Sequence, residues 1–213
     1  MARPSSNIDK KLLLAGRRLI PKTGISGLKV RDVVKKAKVN LGMFHYHFGS
    51  RENYMKALIK EVYDGFISEF KFESETGKNP RENLRNALLS ASSYIFNNRV
   101  FFTAFLEEIM KGNKALAGFA SANMTRHLFI AYDLYRQGIS RGYFREIPLP
   151  SLAALAIGTI AAPNIAARTL EKSYISLAGL PLTAALREAA GSPAMMEQRV
   201  DLLLNAISTG KNK

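Results

Sequence analysis

Apolar residues recur at three- and four-residue spacing along almost the whole 213-residue chain, with no alternating run and no hairpin signal. This pattern predicts an all-α protein of about nine helices. Ser6-x-x-Asp9 is a capping-box-like start for the first, which runs to about Ile20 with Leu12, Leu13, Ala15, Gly16 and Leu19 on one face. The breaker Pro21-Lys22-Thr23-Gly24 ends it. Two short helices follow, at about 29–37 and 40–47. Gly49-Ser50 separates them from a fourth, capped by Ser50, that carries Tyr54, Ala57, Leu58, Val62 and Phe66 as one stripe to about Phe72. Asn79-Pro80-Arg81-Glu82 opens a helix reaching about Asn98. Further helices are expected over 100–111, 114–141, 150–172 and 193–208, with residues 174–191 as loop or irregular helix.

The short second and third helices have the spacing of a helix-turn-helix, whose second helix enters the major groove. Val30, Val33, Val34 and Ala37 form an inner face, and Val39 plugs the turn. Periodicity turns Leu41, Phe44 and Phe48 inward and Gly42, Met43 and Tyr46 outward, flanked by Asn40 and His47. The outward set is placed to meet base edges, and Lys29, Lys35, Lys36, Lys38 and Arg51 to meet phosphates.

Charge sharpens this reading. The chain carries a net +14. Residues 1–60 hold 14 Lys and Arg against Asp9, Asp32 and Glu52, so nearly all the excess lies in the first quarter. Such lopsidedness implies a polyanionic partner, held through phosphate contacts and counterion release. A basic domain binding nucleic acid or anionic surfaces without sequence preference is the alternative.

The residues Val30-Arg31-Asp32-Val33-Val34, Ala37-Lys38-Val39-Asn40 and Gly42-Met43-Phe44-His45-Tyr46-His47-Phe48-Gly49-Ser50-Arg51-Glu52 resemble the signature of the tetracycline-repressor (TetR) family. The resemblance covers about residues 6–66. It implies a helix-turn-helix DNA-binding domain over 6–66, with the motif at about 29–48, and an effector-binding and dimerisation domain over 67–213. It also implies a homodimeric repressor, released from a pseudo-palindromic operator by a small molecule; the lack of cysteine and of a long apolar run near the N-terminus separately points to a cytoplasmic protein. By the same resemblance Asn40, Leu41, Gly42, Met43, His45, His47 and Arg51 contact DNA. For Leu41 and His45 this differs from the periodicity, which buries Leu41. The sequence departs from the family at Lys38, where a turn glycine is usual, and at Val34, Met43 and His45. If Lys38 adopts positive φ, its side chain is costly there.

No motif of phosphate-cradling, dinucleotide-binding, esterase or zinc-protease type occurs, so neither enzymatic activity nor a cofactor is implied. His45 and His47 diverge on a helix and make a poor chelate, and His127 reads as a partly buried core histidine. The adjacent Glu107 and Glu108 read as solvated. Tyr94, Phe101, Phe105, Met124, Phe129 and Tyr132 are candidates to line a pocket for an apolar or aromatic effector. The uncharged stretch Ile147 to Ala167 approaches bilayer-spanning length, yet its prolines, Asn164 and alanines read as a helix buried against protein. Its small residues Ala153, Ala154, Ala156, Gly158, Ala161 and Ala162, with Leu202, Leu203, Ala206 and Ile207, suit a homodimer built on 150–172 and 193–208.

Overall fold

Helix ends fall where capping side chains put them. In the computed structural model, which describes residues 7–170, 176–177 and 180–210, Ser50 Oγ accepts the Asn53 N–H at 3.1 Å and Asn79 Oδ1 that of Glu82 at 3.0 Å. Glu82 answers by accepting the Lys78 N–H at 2.8 Å, which completes a reciprocal cap. The expected start at Ser6 and end near Lys172 lie outside the described residues.

Contacts divide the chain into two units. The first comprises residues 1–65 and 100–124. It contains α1 (Ile8–Thr23), α2 (Val30–Ala37), α3 (Leu41–Phe48) and the start of α4 (Arg51–Glu73). The second comprises residues 66–99 and 125–213 and contains α5 (Pro80–Asn97). Helices α6 (Arg99–Met110) and α7 (Lys114–Asn123) belong to the first unit, and α8 (Arg126–Ser140) to the second. There follow α9 (Leu149–Ala156), a π-helical turn (Ile157–Ala161) and α10 (Ala162–Leu170). A two-residue ladder pairs β1 (Ser176–Leu177) antiparallel with β2 (Leu180–Pro181). Then come α11 (Leu182–Gly191) and α12 (Pro193–Ile207).

In the first unit α1 packs on α2 and α3 around Leu12, Ile20, Leu28, Val33, Phe44 and Leu58, all buried. Burying such side chains stabilises by about 1.5–3 kcal/mol each before entropy is counted. Tyr54 is the polar member of this core. Its hydroxyl donates to the Leu12 carbonyl at 2.8 Å, and burial pushes its ionisation above the usual phenol range. Helix α1 runs three residues past the expected stop. Thr23 Oγ1 bonds the Leu19 carbonyl (3.2 Å) and Gly24 N–H that of Ile20 (2.9 Å), so the turn holds despite Pro21.

The second unit packs α5 against α8, α12 and the π turn, with α11 bridging α10 and α12. The expected single helix over 114–141 is two helices, α7 and α8, broken at Met124–Thr125. Ser121 Oγ bonds the Gly118 carbonyl (3.0 Å) and Asn123 Nδ2 that of Phe119 (2.9 Å), the local competition that favours ends over interiors. The π turn has a covalent cause. Pro163 has no N–H for the Thr159 carbonyl, which instead accepts from Arg199 Nε at 3.3 Å. The same guanidinium donates to Ala189 and Ala190 at the end of α11. Gly138 lets the buried Phe144 ring lie directly on α8, where it stacks on Tyr135 at 5.9 Å. His127 lies edge-on to Phe66 and Phe70, and burial lowers its pKa to about 4, so it is neutral at physiological pH.

Candidate DNA interface

The turn between α2 and α3 is a Schellman closure. Lys38 N–H bonds the Lys35 carbonyl (3.3 Å) and Val39 N–H reaches the Val34 carbonyl (3.0 Å). The closure needs a left-handed residue, and Lys38 supplies it at φ 57°, ψ 45°, the one non-glycine with positive φ among the described residues. The sequence thus carries lysine where glycine is easiest. Lys38→Gly is expected to stabilise the protein by up to about 1 kcal/mol. If Lys38 also meets a phosphate, the salt slope of DNA binding falls by about one. Denaturant melts and binding titrations over a salt series check both; unchanged stability would refute the strain.

Asn40 caps α3 by accepting the Met43 N–H at 2.8 Å. Phe44, fully buried against Tyr54 at 5.1 Å, anchors the helix, and Phe48 meets the same ring edge-on at 5.0 Å. That anchoring leaves Tyr46 69% exposed, with Gly42 and His45 also in solvent and Met43 half-buried. Leu41 is 44% exposed, as the family resemblance implied and the periodicity did not. It stands in the first turn, before the helix has closed onto the core.

Two expected contacts have other geometry. Arg51 was placed against phosphate, but its guanidinium is turned inward: Nε donates to the Leu28 carbonyl (2.9 Å), and Nη2 to those of Ile25 (3.0 Å) and Ser26 (2.9 Å). It ties the start of α4 to the α1–α2 connection, whose open carbonyls attract it. His47 keeps Nε2 buried rather than outward. His45 Nδ1 lies 3.0 Å from the Gly49 carbonyl, to which it donates. By contrast Lys29, Lys35, Lys36 and Lys38 are exposed and enter no ion pair among the described residues. They remain available for phosphates.

Sequence reasoning missed a supporting contact. Ser26 Oγ donates to Glu108 of α6 at 2.5 Å, and Glu108 is 5% exposed rather than solvated. Burial opposes its ionisation. Hydrogen bonds from Ser26 and Asn113 and the Lys111 ammonium outweigh that, so its carboxyl lies below the usual range. Nothing local in the sequence marks this pair, which is 82 residues apart.

The six candidate effector residues are divided between the two units. Phe101, Phe105 and Met124 fall in the first unit and Tyr94, Phe129 and Tyr132 in the second. Phe129 is 71% exposed, and Tyr132 borders a cleft of about 290 Å³ with Tyr135, Arg136 and Pro148.

Residues 12–58 match the model of the bacterial regulatory proteins of the tetR family. The chain is 22% identical over 142 residues to the probable HTH-type transcriptional regulator YttP of Bacillus subtilis, covering 66% of this chain and 69% of that protein. It is 21% identical over 136 residues to the HTH-type transcriptional repressor KstR2 of Mycobacterium tuberculosis, covering 63% and 68%. Its fold is similar to that of the transcriptional regulator FadR of Bacillus subtilis, crystallised with stearoyl-CoA: TM-score 0.68, 18% identity, 86% and 98% covered. The capped reading helix, its Schellman turn and the exposed lysines around it lie in or beside the segment that matches the tetR family model, so residues 12–58 form a helix-turn-helix module similar to those of tetR-family regulators.

Proposed function

We propose that the protein is a dimeric, cytoplasmic repressor that binds a pseudo-palindromic operator and leaves it when an apolar small molecule binds. The carrying observation is the exposed edge of α3 flanked by four unpaired lysines. Phosphate-seeking cations without a reading edge would serve nonspecific binding, and this surface has both. The effector reading draws support from the relatives: FadR was crystallised with stearoyl-CoA, and KstR2 is named a ketosteroid regulator. Release is a population shift, in which effector favours a dimer whose reading helices no longer match groove spacing.

Dimerisation is supported by an uncovered apolar surface within the second unit. The stretch Leu149–Thr169 is long and apolar enough to cross a membrane by composition, and 11% of its most apolar window is buried. The expected burial against protein is therefore not met within a single chain. Ile157 and Leu202 are each 62% exposed, with Leu149, Leu155 and Met195 also outward. Leu203 and Ile207, expected on this face, are instead buried in the chain's own core. The outward residues and the exposed Ala153, Ala154, Gly158 and Ala162 suit a second copy, because small residues allow close helix approach.

Selection of bound genomic fragments over a salt series tests the proposal. Tyr46→Ala is expected to relax sequence preference, whereas Lys36→Ala weakens all duplexes alike and lowers the salt slope by about one. Equal binding of every duplex by the wild-type protein would return the reading to a nonspecific binder.

A further inference from the structure

We infer that the reading helix recognises its operator chiefly through the C5-methyl groups of thymines, by apolar contact, rather than through bidentate hydrogen bonds to guanine or adenine. The inference rests on the operator binding proposed above and specifies its chemistry.

In the major groove, Arg or Lys reads guanine through two acceptors, Asn or Gln reads adenine through a donor and an acceptor, and apolar side chains read the thymine methyl. Residues 39–50 contain no Arg, Lys, Gln, Asp or Glu. The one amide, Asn40, has Oδ1 engaged as the cap of Met43, which takes one of that oxygen's two acceptor positions and fixes how the amide is turned. His45 has Nδ1 engaged by Gly49, and Arg51 is held by carbonyls of the α1–α2 connection. Within residues 39–50 and at Arg51, each group able to make a two-point contact is absent or already engaged.

What the helix does present is apolar. Leu41 and Met43 lie in its first turn, the end that a recognition helix offers to base edges. Leu41 and Tyr46 stand in solvent. At Gly42 an added Cβ would meet nothing within 4 Å except Asn40 Oδ1 at 3.3 Å, so the backbone itself can approach closely. Lysines around this patch draw in a polyanion, and on that polyanion's major-groove edge the methyl group belongs to thymine. Covering Leu41 and Met43 against methyls removes apolar surface from water on both partners.

The test uses the wild-type dimer and its selected operator. Each thymine is replaced in turn by deoxyuridine, which deletes the methyl and keeps every hydrogen-bonding group. Affinity is expected to fall about fourfold for each contacted thymine, the worth of one buried methyl. In Leu41→Ala or Met43→Ala the thymine-to-uracil ratio at the matching position falls to about one. In Lys36→Ala both duplexes weaken equally and the ratio is retained. A selected site that tolerates uracil at every thymine overturns the inference while leaving sequence-specific binding intact. A selection that yields no preferred site overturns both.

Discussion

The double variant Ile157→Asp/Leu202→Asp is expected to be a folded monomer that binds operator at least about 100-fold more weakly than the wild type. Both side chains are mostly in solvent within the single chain, so carboxylates there are hydrated and leave its fold intact. In an isologous dimer each substitution counts twice, and an unpaired carboxylate sealed between apolar helices costs several kcal/mol. Losing the dimer converts a second, tethered half-site contact into an independent one, and that lost effective concentration is the source of the fall. Sedimentation velocity and operator titration read the two effects separately. A variant that still sediments as a dimer would place the interface elsewhere, and a monomer with wild-type affinity would show that paired half-sites are not used.

Gly16→Ala is expected to destabilise the first unit by about 3 kcal/mol. A Cβ at this position would overlap the Tyr54 hydroxyl, and Leu58 Cδ2 stands 3.1 Å away. Tyr54 cannot yield easily, being 1% exposed and bonded to the Leu12 carbonyl. The substitution therefore combines overpacking, roughly 1–3 kcal/mol, with a buried hydroxyl stripped of its partner, roughly 1–3 kcal/mol more. A typical domain has only about 5–15 kcal/mol in hand, so the loss is severe and DNA binding declines with it. Tyr54→Phe removes the offending oxygen and leaves Cζ at 3.1 Å, a contact that small shifts accommodate. Adding it to Gly16→Ala is expected to recover part of the stability, with a coupling of about 1 kcal/mol or more in urea melts. Strictly additive effects would mean that the hydroxyl is not the obstacle.

Which parts of this were legible in advance follows from the range of each interaction. Ser50 and Asn79 act on N–H groups three residues ahead, and each caps the helix that its position announced. The reading helix, its buried Phe44 and the awkward Lys38 were likewise visible, because a turn and a 3.6-residue period are local properties. Periodicity erred at Leu41, since a first-turn residue obeys the period without having a core beneath it. It also could not part Leu202 from Leu203, adjacent leucines of which only the latter finds the core.

By itself, then, the sequence determined the helical class, the capped helix starts at Ser50 and Asn79, and the basic reading module. These depend on residues within a few positions of one another. The tertiary structure alone decided that Arg51 clamps Ile25, Ser26 and Leu28, that Glu108 is buried on Ser26, and that Arg199 caps the carbonyl freed by Pro163. In each case a donor or acceptor had to find a partner 23 to 82 residues away, and no local spacing encodes which distant group packing will bring within hydrogen-bonding reach.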